Sequence, residues 1–211
     1  VPQVSLPIFP LPDLTFFPRT MLPLHIFEAR YRAMITDCLA RDQRLAVVGL
    51  KPGYEAAYED KPPVYEVAGA GRIVRWERLP SGRYNLLLRG DCRVRIEREL
   101  PADTLYRMVA ATPLEETGAD GPAVEALASR VRVRCQQILT AVGRSGVELR
   151  KSLDALSDPA ALCDQVASSL LPAAAVRQVL LEELHVERRL ERLAVALDDL
   201  LSHLTGEGGR A

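Results

Sequence analysis

Leu22-Pro23-Leu24-His25-Ile26-Phe27-Glu28-Ala29-Arg30-Tyr31-Arg32 carries the chain from a short, proline-broken apolar piece into a helix. The helix is expected over roughly residues 26–40. Phe27, Tyr31, Met34, Ile35 and Cys38 recur there at three- and four-residue steps, while Glu28, Arg32 and Thr36 fall on the other face. Upstream lie two more short apolar pieces, residues 4–12 and 14–17, the second separated from 21–24 by Pro18. The first holds Pro7, Pro10 and Pro12. Proline cannot donate to a ladder, so this opening strand is expected at a sheet edge or at a bulge.

Downstream the pattern changes to β-type alternation. Residues 45–50 read as a strand, and 51–63 as a loop containing Tyr54 and Tyr58. Residues 70–78 form a strand, Leu79-Pro80-Ser81-Gly82 a turn, and 84–89 the return strand. Gly90-Asp91 then reads as a tight turn into a further strand over 92–99. In that last segment Cys92, Val94 and Ile96 alternate with Arg93, Arg95 and Glu97, which predicts one buried face and one wet face.

The polar break Glu115-Glu116-Thr117-Gly118-Ala119-Asp120-Gly121-Pro122 separates this half from a helical one, giving lobes 1–117 and 118–211. A helix is expected from Pro122 to about Val142. The next clear start is Asp158-Pro159, where Asp suits the N-cap and Pro the first helical position. Its stripe is Leu162, Val166 and Leu170, and it stops at Pro172. A helix from Ala173 to about Glu183 shows Val176, Val179 and Leu180. The final helix carries Val186, Leu190, Leu193, Leu197, Leu200 and Leu204 in steps of four and three. That heptad stripe is expected to be the seam of an intramolecular bundle, because it is short for a dimeric coiled coil.

Composition bounds the function. The 211 residues are 48% hydrophobic and 26% charged with a net charge of −1, enough for a core and without global attraction to nucleic acid or anionic membrane. No apolar run approaches the roughly 20 residues that span a bilayer. The opening residues lack a basic n-region, so no signal peptide is expected. Cys38, Cys92, Cys135 and Cys163 are too far apart for a zinc knuckle and read as reduced core thiols, favouring the cytoplasm.

The order and spacing of several segments resemble the LON domain, the N-terminal substrate-binding region of Lon proteases. They are Leu6-Pro7-Ile8-Phe9-Pro10-Leu11, Phe17-Pro18, the residue 22–32 stretch, residues 67–73, Gly82, Gly90-Asp91-Cys92-Arg93-Val94, Asp158-Pro159, Val179-Leu180-Leu181-Glu182 and Arg189-Leu190. Leu184-His185 stands where the family has an acidic cap. The resemblance runs over roughly residues 4–204. It implies an α+β fold, a β-rich PUA-like pseudo-barrel lobe with one helix followed by an α-helical bundle. It also implies a non-catalytic module for unfolded polypeptides or partner proteins, with Lon-type protease machinery as a further partner. A free-standing copy would serve as an adaptor, a holdase-like binder or a decoy.

The residues agree with an absence of chemistry: no catalytic, cofactor or metal residues are assigned. Lys51, Lys61 and Lys151 do not close a glycine-rich phosphate cradle, since Glu148-Leu149-Arg150 precedes Lys151-Ser152. Gly143-Arg144-Ser145-Gly146 lacks the nucleophile-elbow spacing. His25, His185 and His203 each have a structural reading at a helix start, a helix junction and a helix end. The expected peptide contacts are the aromatics with both an apolar body and a polar tip, Tyr54, Tyr58, Trp76 and Tyr84. An RNA-binding alternative rests on residues 72–98, where eight arginines face three carboxylates. Trp76 and Tyr84 are few aromatics for stacking bases, so a solvated or protein-binding face is preferred.

Overall fold

The computed structural model describes residues 2–57, 61–143 and 147–207. The chain divides into two compact units, Val1–Leu114 and Glu115–Ala211. Together they make the expected α+β fold, strand-rich first and helical second.

The first unit contains β1 (Val4–Leu11), β2 (Met21–Ile26), α1 (Ala29–Leu39), β3 (Arg44–Gly49), β4 (Val67–Arg78), β5 (Tyr84–Leu100) and β6 (Met108–Leu114). The sheet order is β2-β5-β4-β3-β1-β6, and β5 also pairs with β6. Five strands therefore close into a small barrel, and β2 hangs outside the ring on β5 alone. Side chains facing the interior are small or branched: Leu6, Ile8, Ala46, Val48, Ala68 and Val94. A narrow barrel has room for little more. The other face of β3, β4 and β5 is covered by α1 through Tyr31, Met34, Ile35 and Cys38. Tyr106 locks this cover by donating to the Asp37 carboxylate at 2.7 Å.

Three sequence expectations change here. The opening strand β1 is interior, not an edge. Residues 4–7 pair antiparallel with β6, and residues 8–11 pair parallel with β3. The strand hands over from one neighbour to the other at its middle, which leaves each proline a side with no ladder to satisfy. Gly90-Asp91 is not a turn but an irregularity within one 17-residue strand, where the register against β4 shifts between Ala70 and Gly71. Gly90 stays extended and bonds sideways, its N–H donating to the Thr20 carbonyl and its carbonyl accepting from the Arg19 N–H, both at 2.9 Å. Finally, Ile26 closes β2 and Phe27 precedes α1, so Phe27 is not part of the helix stripe. Strand β6 carried no sequence signal strong enough to be anticipated.

The residue 14–17 piece explains a glycine track. Phe16 and Phe17 are buried, and their backbone lies directly on the sheet. A Cβ at Gly69 would stand 1.8 Å from the Phe16 carbonyl oxygen, and one at Gly90 2.1 Å from that of Phe17. The same close approach buries Arg93, whose guanidinium lies 5.9 Å from the centre of the Phe17 ring. Arg93 is thus not on a wet face; both faces of β5 are covered at this point.

The second unit contains α2 (Pro122–Ala141), α3 (Val147–Asp154), α4 (Pro159–Leu170), α5 (Ala174–Glu182) and α6 (Val186–Glu207). Asp158 caps α4 as expected, accepting from the Ala160 N–H at 2.9 Å. Helix α3 was not anticipated. The segment 144–146 before it, which includes most of the rejected elbow, lies outside the described residues. Arg130 and Arg134 of α2 both reach Asp198 of α6. Slight burial pushes that carboxyl up, but the two arginines' hydrogen bonds hold it below the ordinary range. At the junction before α6, the Glu183 carboxylate accepts the His185 N–H at 3.1 Å, which ties the turn ahead of the helix.

Val186, Leu190, Leu193 and Leu197 are fully enclosed, so the heptad stripe is an internal seam over most of its length. Leu193→Ala is expected to lower stability by about 2–5 kcal/mol, the range for truncating a fully buried leucine. Urea denaturation measures it. A loss below about half a kcal/mol would place the stripe at the surface.

Candidate functional site

The barrel leaves one three-stranded arm projecting from it, and the site is built on that arm. Strand β2 pairs with β5 from Met21 opposite Arg89 to Ile26 opposite Tyr84. Leu22, Leu24 and Ile26 turn inward to the α1-covered core, so Met21, Pro23 and His25 must turn outward. Among the described residues, no strand pairs with the far edge of β2. Its outward row is short and contains a proline, which limits but does not remove the edge's capacity to accept another strand.

Strand β4 flanks the other side of β5. Its register slips between Ile73 and Arg75, and this bulge delivers Val74 to the surface. Beyond the bulge Trp76 stands opposite Leu86 and remains 49% exposed. A shallow groove of about 600 Å3 runs along the arm between Pro23, Arg75, Trp76, Glu77, Asn85 and Leu87. At one end, His25 is hydrogen-bonded to Asn85 at 2.7 Å and stacked against Phe27, with ring centres 6.4 Å apart. Phe27 is 59% exposed. Met21, Phe27, Val74 and Trp76 are thus large apolar side chains left in solvent on or beside one arm, Met21 on its outer face and Trp76, by its register opposite Leu86, on the face toward α1.

The expected aromatic contacts separate. Trp76 belongs to the arm. Tyr84 is enclosed: it is 4% exposed, pairs with the Thr36 hydroxyl at 3.1 Å and packs beside Trp76 on the same face of the sheet, ring centres 6.3 Å apart. Its position opposite Ile26 places it on the α1 side of the sheet, which period-two alternation alone did not reveal. Tyr54 is half-buried in a short helical turn, Tyr54–Ala57. Tyr58 lies outside the described residues. Phe27 and Met21 were missed because both sit in apolar patterns that read as core.

The electrostatics are mixed rather than uniformly basic. Arg72, Arg75 and Arg89 share the outer face of the arm by register. Asp91 answers two of them, at 2.9 Å from Arg72 and 3.6 Å from Arg89. With Arg93 buried, the arginines of residues 72–98 do not form one continuous face.

The three histidines are held by Asn85, by packing on Gly118, and by an Asp199 carbonyl at 2.7 Å. Burial pushes the Cys38 and Cys135 thiols up to about 12, which keeps them protonated and poor nucleophiles. Among the described residues, no group of three or more His, Cys, Asp or Glu is placed to hold a metal ion, and no helix is long and apolar enough to cross a membrane. What the arm offers is an open backbone edge beside exposed apolar side chains.

The family model described as the ATP-dependent protease La (LON) substrate-binding domain matches residues 5–199. The Lon protease of Azospirillum brasilense is 28% identical over 196 residues, covering 92% of this chain but 24% of that protein. The Lon protease of Rhizobium meliloti (strain 1021) is 26% identical over 207 residues, 97% of this chain and 25% of that one. The chain therefore spans about a quarter of the length of these relatives. Among solved structures, the N-terminal domain of Mycobacterium avium complex Lon protease aligns with a TM-score of 0.75 at 20% identity, covering 93% of this chain and 99% of that one. The Lon N-terminal domain protein from Xanthomonas campestris aligns with a TM-score of 0.67 at 23% identity, covering 91% and 98%.

Proposed function

Because the chain belongs to the LON substrate-binding domain family, we propose that it is a non-catalytic module that holds unfolded polypeptide on the β2–β5–β4 arm, as an adaptor or holdase-like binder working in the cytoplasm, with Lon-type protease machinery as a partner. The observation that carries this reading is the unpaired edge of β2 next to exposed Met21 and Phe27, with Trp76 exposed on β4 across β5. An extended peptide adds to such an edge through main-chain hydrogen bonds, and neighbouring apolar side chains supply preference. Recognition of that kind is tolerant of sequence, because every peptide carries the same backbone. The docking strand is β2 rather than the proline-rich opening strand, since β1 is paired inside the barrel.

RNA binding is the competing reading. Its support is weakened by the burial of Arg93 and by the sharing of Asp91 between Arg72 and Arg89. The two readings differ in salt dependence. Contacts to phosphate release counterions, so affinity for single-stranded RNA falls with a log–log slope approaching about −0.7 per contact. Peptide addition forms few ion pairs and responds weakly to salt.

The test is a titration of a fluorescent unfolded protein and of a single-stranded RNA at low and moderate salt. Polypeptide binding with a shallow salt slope is expected. The double variant Phe27→Ala/Trp76→Ala should weaken it about tenfold or more, as loss of an aromatic anchor does. Arg72→Glu/Arg95→Glu should largely spare it, since neither residue lines the groove. Salt-steep RNA binding abolished by the charge reversals, with no polypeptide bound, would replace this reading by the other.

A further inference from the structure

A second surface lies in the helical unit. Val176 and Val179, which their spacing placed inside, are exposed on α5. They face Val195, Ala196 and Leu200 of α6 across an apolar groove of about 760 Å3. Val195 is 58% exposed. The groove shares only Leu200 with the heptad stripe, whose enclosed members Val186, Leu190, Leu193 and Leu197 point into the bundle.

The charges on the rim identify what fits it. Arg192 and Asp199 both line the groove, with Glu191 and His203 further along it, and Arg192 and Asp199 are equally spaced about the midpoint between Val195 and Ala196. A two-fold axis through that midpoint would bring α6 of a second copy alongside in the antiparallel sense. Arg192 of each copy then meets Asp199 of the other, twice by symmetry, with Val195 beside Ala196 at the axis. The small Ala196 side chain permits close approach there, and each Val195 enters the other copy's groove near Val176 and Val179. Arg192 already pairs with Glu183 at 3.1 Å in its own chain. A guanidinium has five N–H donors, so a second carboxylate can be accommodated. A foreign helix carrying one sign of charge would satisfy one rim residue and oppose the other. A second copy satisfies both.

We propose that the α5–α6 groove is the isologous interface of a homodimer of this chain. It is built on residues remote in sequence from the β2 arm, so its failure and the failure of polypeptide binding are separate results. Sedimentation equilibrium of the full chain, over about 1 μM to 1 mM where weak interfaces associate, reads it directly. A monomer–dimer equilibrium is expected, with the valine replaced in Val195→Glu abolishing it. Arg192→Glu and Asp199→Arg should each weaken the dimer about tenfold or more. The double reversal Arg192→Glu/Asp199→Arg should restore it, because the swapped charges meet across the axis. Both positions are exposed, so thermal melts should show the folded state kept in all three charge variants. A monomer throughout, including one that takes up a foreign amphipathic peptide, overturns the proposal. So does a dimer indifferent to the single reversals, or a double reversal no tighter than either single change.

Discussion

Arg189→Met is expected to cost about 3–5 kcal/mol of stability, the range for removing one partner from a buried ionic group. Arg189 is 0% exposed. It donates to the Glu116 carboxylate and to the Glu183 carbonyl, the latter at 3.1 Å, and lies 3.7 Å from the enclosed Asp164 carboxylate. Burial pulls the guanidinium pKa down, but Asp164, Cys163 and Glu116 together hold it above its ordinary value, so the group stays charged. Removing it takes the guanidinium away from the Asp164 carboxylate in a site closed to water. Glu116 is near the surface and can turn outward; Asp164 cannot. The double variant Arg189→Met/Asp164→Leu should therefore recover much of the loss, because an apolar pair of similar volume carries no desolvation penalty. Urea midpoints of the parent, single and double variants measure this. A single-variant loss under about 1 kcal/mol would mean that water reaches the pair and that its burial is not real.

The second large effect is expected at Gly69. An alanine there places its Cβ 1.8 Å from the Phe16 carbonyl oxygen and 2.7 Å from the carbonyl carbon. Both are backbone atoms, so no rotamer change relieves the clash. Either the residue 14–18 segment leaves the sheet, exposing Phe16 and Phe17, or the strand bends. The loss should be about 3 kcal/mol or more, at the upper end of overpacking effects, because a backbone segment rather than a side chain must move. Gly206→Ala is the control: nothing lies within 4 Å of that position in α6, and alanine is the better helix former. Thermal melts of both variants decide the matter. A Gly69→Ala protein melting with the parent would show that the segment does not lie on the glycine track.

These two sites also mark where sequence reasoning stopped. Gly69, Gly71 and Gly90 were visible as part of a family-like pattern, yet their reason was not: each admits a backbone from elsewhere in the chain. Arg93 looked solvated because it alternates with Val94. It is buried because the same backbone segment covers that side of β5. Tyr84 looked like a recognition residue because its type favours interfaces. Its register opposite Ile26 turns it under α1 instead. For Met21, Phe27, Val176 and Val179 the error ran the other way, since apolar periodicity reports a face and not whether anything covers it.

Local chemistry was enough to determine the division into a strand-rich and a helical half, the Asp158 cap, the internal heptad seam and the order of motifs that resembles the LON domain. Each depends on neighbours within a few turns or one strand pair. Only the tertiary structure decided that β5 bends through Gly90 to pair with β4 and β6, that the ring closes on β1, and that β2 is the strand left with an open edge. Hydrogen bonds between strands far apart in the chain decide those points, and their partners are chosen by which closure buries the small interior residues without leaving backbone unpaired.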